Sequence, residues 1–153
     1  MLNLQDTAYM GSTVFKSISL IPKMTSNVLP SGICSAQSEG APAYFAFDNN
    51  NSTGWSATTT ALPQWCQYYF STGISVVPIA YQFDQTFAVL STAWQMQASL
   101  DGSTWVTLDT QSSPINSIIR FNNNVKYTYW RLNITATINS GIPATVETFQ
   151  LFY

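Results

Sequence analysis

Asp48, Asn50 and Thr53 place a carboxylate, an amide and a hydroxyl in one short stretch, residues 47–55 (FDNNNSTGW). A hard cation such as Ca2+ takes about six to eight oxygens, drawn from carboxylates, amides, hydroxyls and backbone carbonyls. Asp48 supplies charge, and the run of Asn before Gly54 lets the backbone curl so that carbonyls turn inward. The competing reading is a turn capped by Asp48 and Thr53 that holds no ion. Trp55 follows at once and can anchor the loop to a core.

Other chemistry is sparse. The chain has no His, which removes the commonest general base and transition-metal ligand. Its two cysteines, Cys34 and Cys66, fall short of the roughly four ligands of a zinc site. They form either one disulfide or two buried thiols. No nucleophile stands beside a base. Paired carboxylates for glycoside hydrolysis are formally available, but Asp48 belongs to the loop and Asp101 to a turn. The expectation is a protein that is not an enzyme.

Composition narrows the partners. The 153 residues are enough for one domain with a proper core. Charged residues make up 8%, against a usual value of about 25%. Surface polarity must therefore come from Ser, Thr, Asn and Gln, which suits an extracellular or virion surface. The net charge is −2. Lys16, Lys23, Arg120, Lys126 and Arg131 cannot build a basic patch, so nucleic acid is not expected. No segment reaches the roughly 18 apolar residues of a membrane span, and residues 1–25 do not read as a signal peptide.

Short strands must position these residues. The runs 65–70, 79–83, 94–99, 105–108, 117–121, 127–136 and 145–152 are separated by Gly, Pro, Asn and Ser clusters. Trp94, Met96 and Ala98 alternate with Gln95, Gln97 and Ser99. Asp101-Gly102 marks a hairpin turn. Residues 14–21 alternate partly, like an edge strand. No window holds a period of about 3.6 residues over three turns, so the pattern is an antiparallel sandwich or barrel.

Taken in order, the stretch 47–55, Trp94, residues 99–105 (SLDGSTW) and residues 129–132 (YWRL) resemble a discoidin domain. That is the β-sandwich found as the coagulation-factor C-type domain and as a galactose-binding-like carbohydrate module. The resemblance implies an all-β fold, an antiparallel sandwich of the discoidin-like jelly-roll kind over residues 27–153. Residues 1–26 would be an N-terminal extension or docking arm. The resemblance also implies a structural Ca2+ held by Asp48, Asn50, Thr53 and Glu147, with the carbonyls of Phe45 and Val146. The family usually has Gly after the Asp; here it is Asn49, which tolerates a left-handed backbone.

In such folds, ligands meet the loops at one end of the sandwich. The matching loops are residues 38–44, 57–62 and 84–90. Tyr44 and Phe87 are candidate platforms, and Glu39, Asp84 and Gln85 candidate partners for hydroxyls. The family pattern assigns Trp55, Trp65, Trp94 and Trp105 to core packing. It gives Arg131 a structural role, stacked on aromatics or paired with a carboxylate. The expected function is non-catalytic recognition of a glycan or cell-surface polysaccharide. The alternative is a structural virion protein, such as a decoration, fibre-adaptor or tail component. There the sandwich would contact other subunits or copies of itself. The apolar run 87–90 has no basic neighbours, so contact with a protein is expected there rather than with a membrane.

Overall fold

Residues 64–69 (QWCQYY) put Gln64, Cys66 and Tyr68 on one side and Trp65, Gln67 and Tyr69 on the other. The fold buries the first set and leaves the second half-exposed. The same alternation runs through residues 129–134, where Trp130, Leu132 and Ile134 turn inward and Tyr129, Arg131 and Asn133 outward. Side chains of period two on a pleated strand force this division once one face is covered.

The computed structural model describes residues 19–85, 91–113 and 117–153, with Ser117 by its backbone alone. In chain order the strands are β1 (Ile33–Ala36), β2 (Trp55–Ser56), β3 (Gln64–Tyr69), β4 (Ala80–Asp84) and β5 (Ser91–Ser99). They continue with β6 (Val106–Gln111), β7 (Ser117–Arg120), β8 (Tyr129–Thr137), β9 (Thr145–Val146) and β10 (Thr148–Phe152). One 3₁₀ turn spans Ala43–Ala46. A five-stranded sheet has the order β1-β3-β8-β5-β6, a three-stranded sheet β10-β4-β7, and a small sheet pairs β2 with β9. Every pairing is antiparallel. This is the expected β-sandwich. Among the described residues no helix is long and apolar enough to cross a membrane.

The core lies between the two larger sheets. Trp94, Met96, Ala98, Trp130, Leu132 and Ile134 come from one, and Tyr81, Phe83, Phe149 and Leu151 from the other. Burying each of the aliphatic side chains contributes about 1.5–3 kcal/mol relative to exposure. Phe83 meets Trp94 edge-on across the sandwich at 4.6 Å. Polar tips in this core are matched: Trp94 Nε1 donates to the Tyr81 hydroxyl at 3.0 Å, which donates to Asp109 at 2.7 Å. Burial and the Asp109 carboxylate push the Tyr81 pKa far above its ordinary value.

Several boundaries differ from the sequence reading. The run 145–152 breaks at Glu147, because Val146 pairs with Trp55 in the small sheet while Thr148 pairs with Asp84 in the three-stranded one. Residues 20–24, placed in the extension, pack on the sandwich. Leu20 donates to the Leu151 carbonyl, Met24 to that of Phe47, and Ile21 and Met24 are buried. Of the strand expected over 14–21, residues 19–21 are described and are not strand. At Asp101-Gly102 only Gly102 has positive φ, 73°. Asp101 accepts the Ser103 and Thr104 amides at 2.8 and 2.7 Å, so its side chain and the left-handed Gly102 together make the turn.

Two tryptophans correct the core assignment. Trp55 and Trp94 are fully buried, but Trp65 and Trp105 are only half-buried. They lie on the outer face of the five-stranded sheet and flank Arg131, whose Cζ is 3.8 Å from the Trp105 ring centre and 5.7 Å from that of Trp65. Cys34 and Cys66 are both buried free thiols.

Candidate functional site

The loop 47–54 is organised from within. Asp48 is buried and accepts the Asn50 amide at 3.0 Å and the Thr53 hydroxyl at 2.6 Å. Asn50 keeps both oxygens in the loop: its carbonyl accepts the Thr53 amide at 3.0 Å and its side chain the Ser52 amide at 3.1 Å. Asn49 has φ of 52°, the left-handed backbone that Asn tolerates in place of Gly. Thr148 clamps the loop to β10 by donating to Asn51 at 2.7 Å.

The small sheet brings the late residues against this loop. Pairing of Trp55 with Val146 sets Glu147 beside Gly54. A Cβ on Gly54 would come within 3.2 Å of the Val146 carbonyl oxygen, so glycine there permits the approach. Phe45 enters from the 3₁₀ turn that precedes the loop. The structure therefore brings Val146 and Glu147 against Gly54, at the end of the loop in which Asp48 bonds Asn50 and Thr53, with Phe45 in the turn that leads in.

This donor set fits a hard cation. Asp48 and Glu147 are both buried, and neither forms an ion pair with Lys or Arg among the described residues. The Glu147 carboxylate accepts no hydrogen bond from described residues. Buried charge without a partner is costly, and an ion between these two acids would supply one. No group of three or more His, Cys, Asp or Glu is assembled among the described residues, so neutral oxygens would have to complete the shell.

The expected ligand loops also converge. Ser56 pairs with Ala41 on one side and Thr145 on the other, and the Thr145 carbonyl accepts the Ser91 hydroxyl at 3.0 Å. Ser38 ties in residues 57–64: its hydroxyl donates to Gln64 at 2.8 Å and accepts the Thr58 amide at 3.2 Å. Its carbonyl accepts Trp55 Nε1 at 2.8 Å. Loops 38–44, 57–62 and the ends of 84–91 are thus stitched together at one end of the sandwich.

The candidate ligand residues divide. Glu39 is exposed and Tyr44 half-buried. Asn27 joins them, since its side-chain oxygen accepts the Tyr44 amide at 2.9 Å and its NH2 reaches Glu39 at 3.4 Å. Glu39 also accepts the Ala43 amide at 3.0 Å, which fixes the 3₁₀ turn carrying Tyr44. Asp84 is half-buried, with its carboxylate engaged by Gln82. Gln85 must be corrected. It is 2% exposed, and its amide accepts from Ser91 N and donates to Ser91 O, both at 2.8 Å. It closes the loop and cannot meet a ligand. Phe87 lies outside the described residues. Asn27 escaped the sequence reading because no local spacing joins it to residues 39–44.

A family model for the F5/8 type C domain matches residues 31–148. The chain belongs to that family. Its solved structural neighbours are similar in fold at low identity. Chitosan-binding module 1 of a chitosanase/glucanase from Paenibacillus sp. IK-5 is 22% identical, with a TM-score of 0.69 over 83% of this chain and 98% of that one. CpGH89CBM32-5 from Clostridium perfringens, solved with GalNAc-β-1,3-galactose, is 19% identical, with a TM-score of 0.68 over 80% and 95%. The family 32 module of C. perfringens NanJ, solved with galactose, is also 19% identical, with a TM-score of 0.64 over 80% and 93%. No curated protein matches the sequence. In this F5/8 type C domain the outer sheet face, not only the loop end, carries aromatic and polar side chains.

Proposed function

We propose that this F5/8 type C domain is a non-catalytic glycan-binding module with a structural Ca2+. The observation that carries the reading is the stitched loop end. There Asn27 joins the Glu39 carboxylate to the Tyr44 backbone amide, so the turn that carries the ring is tied to a carboxylate before any ligand arrives. Preorganised polar groups beside an aromatic ring suit a sugar, which presents an apolar face and a rim of hydroxyls. The glycan ligands of the structural neighbours support the same class. Asp84 and Phe87 complete the proposed set. The ion would be held by Asp48, Asn50, Thr53, Glu147 and the carbonyls of Phe45 and Val146, and would lock residues 45–54 against β9.

The deciding experiment is a glycan array run with calcium and again with chelator. Selective binding that Tyr44→Ala removes supports the loop-end site, and loss in chelator ties it to the ion. A folded sample that binds no glycan in either buffer rejects the reading.

A second reading, assembly on a virion or other particle, is favoured by one feature. β6 is the last strand of its sheet among the described residues. Beside it, exposed Leu100, Val106 and Val125 line a groove of about 360 Å³. Such an edge can accept a neighbouring subunit.

A further inference from the structure

Arg131 was expected to stack on aromatics or to pair with a carboxylate. It stacks, but no carboxylate meets it among the described residues. Its Nε donates to Gln97 at 2.7 Å, and its plane lies over Trp105. The terminal amines have no protein acceptor among the described residues. Among the described residues no buried side-chain nitrogen or oxygen lacks a partner, so these amines open to solvent.

The surroundings are rigid. Gln97 spends its NH2 on Gln95 at 3.1 Å and Thr107 at 3.0 Å, and Asn133 donates to the same Gln95 oxygen at 3.1 Å. Arg131 is therefore oriented by a fixed amide chain on one side and ring faces on the others. Gln67, directly across from Arg131 on β3, has no protein partner for its amide among the described residues. Trp65, across from Asn133, is half-buried.

We propose that the outer face of the five-stranded sheet is a second binding site, for a carboxylate-bearing sugar such as a uronic acid unit. The Arg131 fork receives the carboxylate, Trp65 stacks on the sugar ring, and Gln67 and Asn133 bond its hydroxyls. A planar guanidinium with both outer amines free matches a carboxylate in two parallel bonds. Charge complementarity selects the occupant: among the described residues of β3, β5 and β8 that share this face, Arg131 is the one charged side chain, set among the amides of Gln67, Gln95, Gln97 and Asn133, and it matches a single anion among hydroxyls. Burial lowers the Arg131 pKa from its ordinary value, a desolvation that a bound anion offsets. The site is independent of the loop-end reading.

The test is calorimetric titration of the whole protein with tetragalacturonate and with its methyl ester at low ionic strength. The acid should bind at least about tenfold more tightly than the ester. Gln67→Glu sets an internal carboxylate opposite Arg131. It should weaken tetragalacturonate binding by about tenfold or more while leaving the melting temperature unchanged. Arg131→Lys keeps the charge but not the fork, and should also weaken it. Tyr44→Ala should leave uronate binding intact, which separates this site from the loop end. Equal binding of acid and ester, or full binding by Gln67→Glu, overturns the proposal. Equal competition by a poly-glutamate peptide also overturns it, and reassigns Arg131 to an acidic protein partner.

Discussion

Gly54 and Glu147 pack without room for a methyl group: a Cβ on Gly54 would lie 3.0 Å from Glu147 Cγ and 3.2 Å from its Cα. The nearest backbone cannot swing aside as a flexible side chain can. Gly54→Ala is expected to destabilise the domain by about 1–3 kcal/mol. A thermal melt reads this directly, and an unchanged midpoint would show that the late strand yields easily.

Asp48→Asn and Glu147→Gln keep side-chain shape and remove charge. If the proposed Ca2+ binds, calcium at about 100-fold above its dissociation constant should add about 2.7 kcal/mol of stability to the parent protein. Each substitution should abolish most of that rise in melting temperature. Asp48→Ala should also cost about 1–3 kcal/mol without calcium, because it orphans the Asn50 amide and leaves the Thr53 hydroxyl only the Asn50 carbonyl. Variants that keep the full calcium response would move the ion elsewhere.

Asp101 gives the domain a predictable acid limb. The Thr104 and Ser103 amides and the Ser99 hydroxyl hold its carboxyl well below the usual carboxylate range. A depressed folded-state value contributes stability that is complete above the unfolded value and is lost as pH falls through the folded one. Denaturant midpoints measured between about pH 2 and pH 6 should fall less steeply with acid in Asp101→Asn than in the parent. Parallel curves would assign the acid sensitivity to other groups.

The thiols should be silent in the native state. Burial pushes Cys34 up to about 12 and raises Cys66 as well, and only the thiolate attacks a disulfide reagent. Neither should react with an aromatic disulfide probe until the protein unfolds. Prompt labelling of the native protein would mean that β1 opens locally.

Legibility followed periodicity. The central strands β3, β5 and β8 were readable because apolar and polar residues alternate along their sequence, and Trp94, Met96 and Ala98 lie on the buried side as read, although Gln97 and Ser99 of β5 are buried too. β1 and β2 were not, because four and two residues are too short to show a period. Trp65 and Trp105 misled because tryptophan in a strand favours the core, whereas here alternation puts Trp65 on the outer face and Arg131 lies over the Trp105 ring. Gln85 misled for the opposite reason, since a polar loop residue was bonded inward. The cation loop was legible locally through Asp48, Asn50 and Thr53. Glu147 needed a family pattern, because only the pairing of β2 with β9 brings it there.

That pairing also sets an order of assembly. Trp55 and Ser56 wait for Val146 and Thr145, and Asn51 waits for Thr148. On a translating ribosome the early half of the loop emerges long before its closing half. A nascent chain stalled before residue 145 should therefore hold the loop's acid and amides without a grip on the proposed ion. Metal capture would then report that synthesis has passed the last strands.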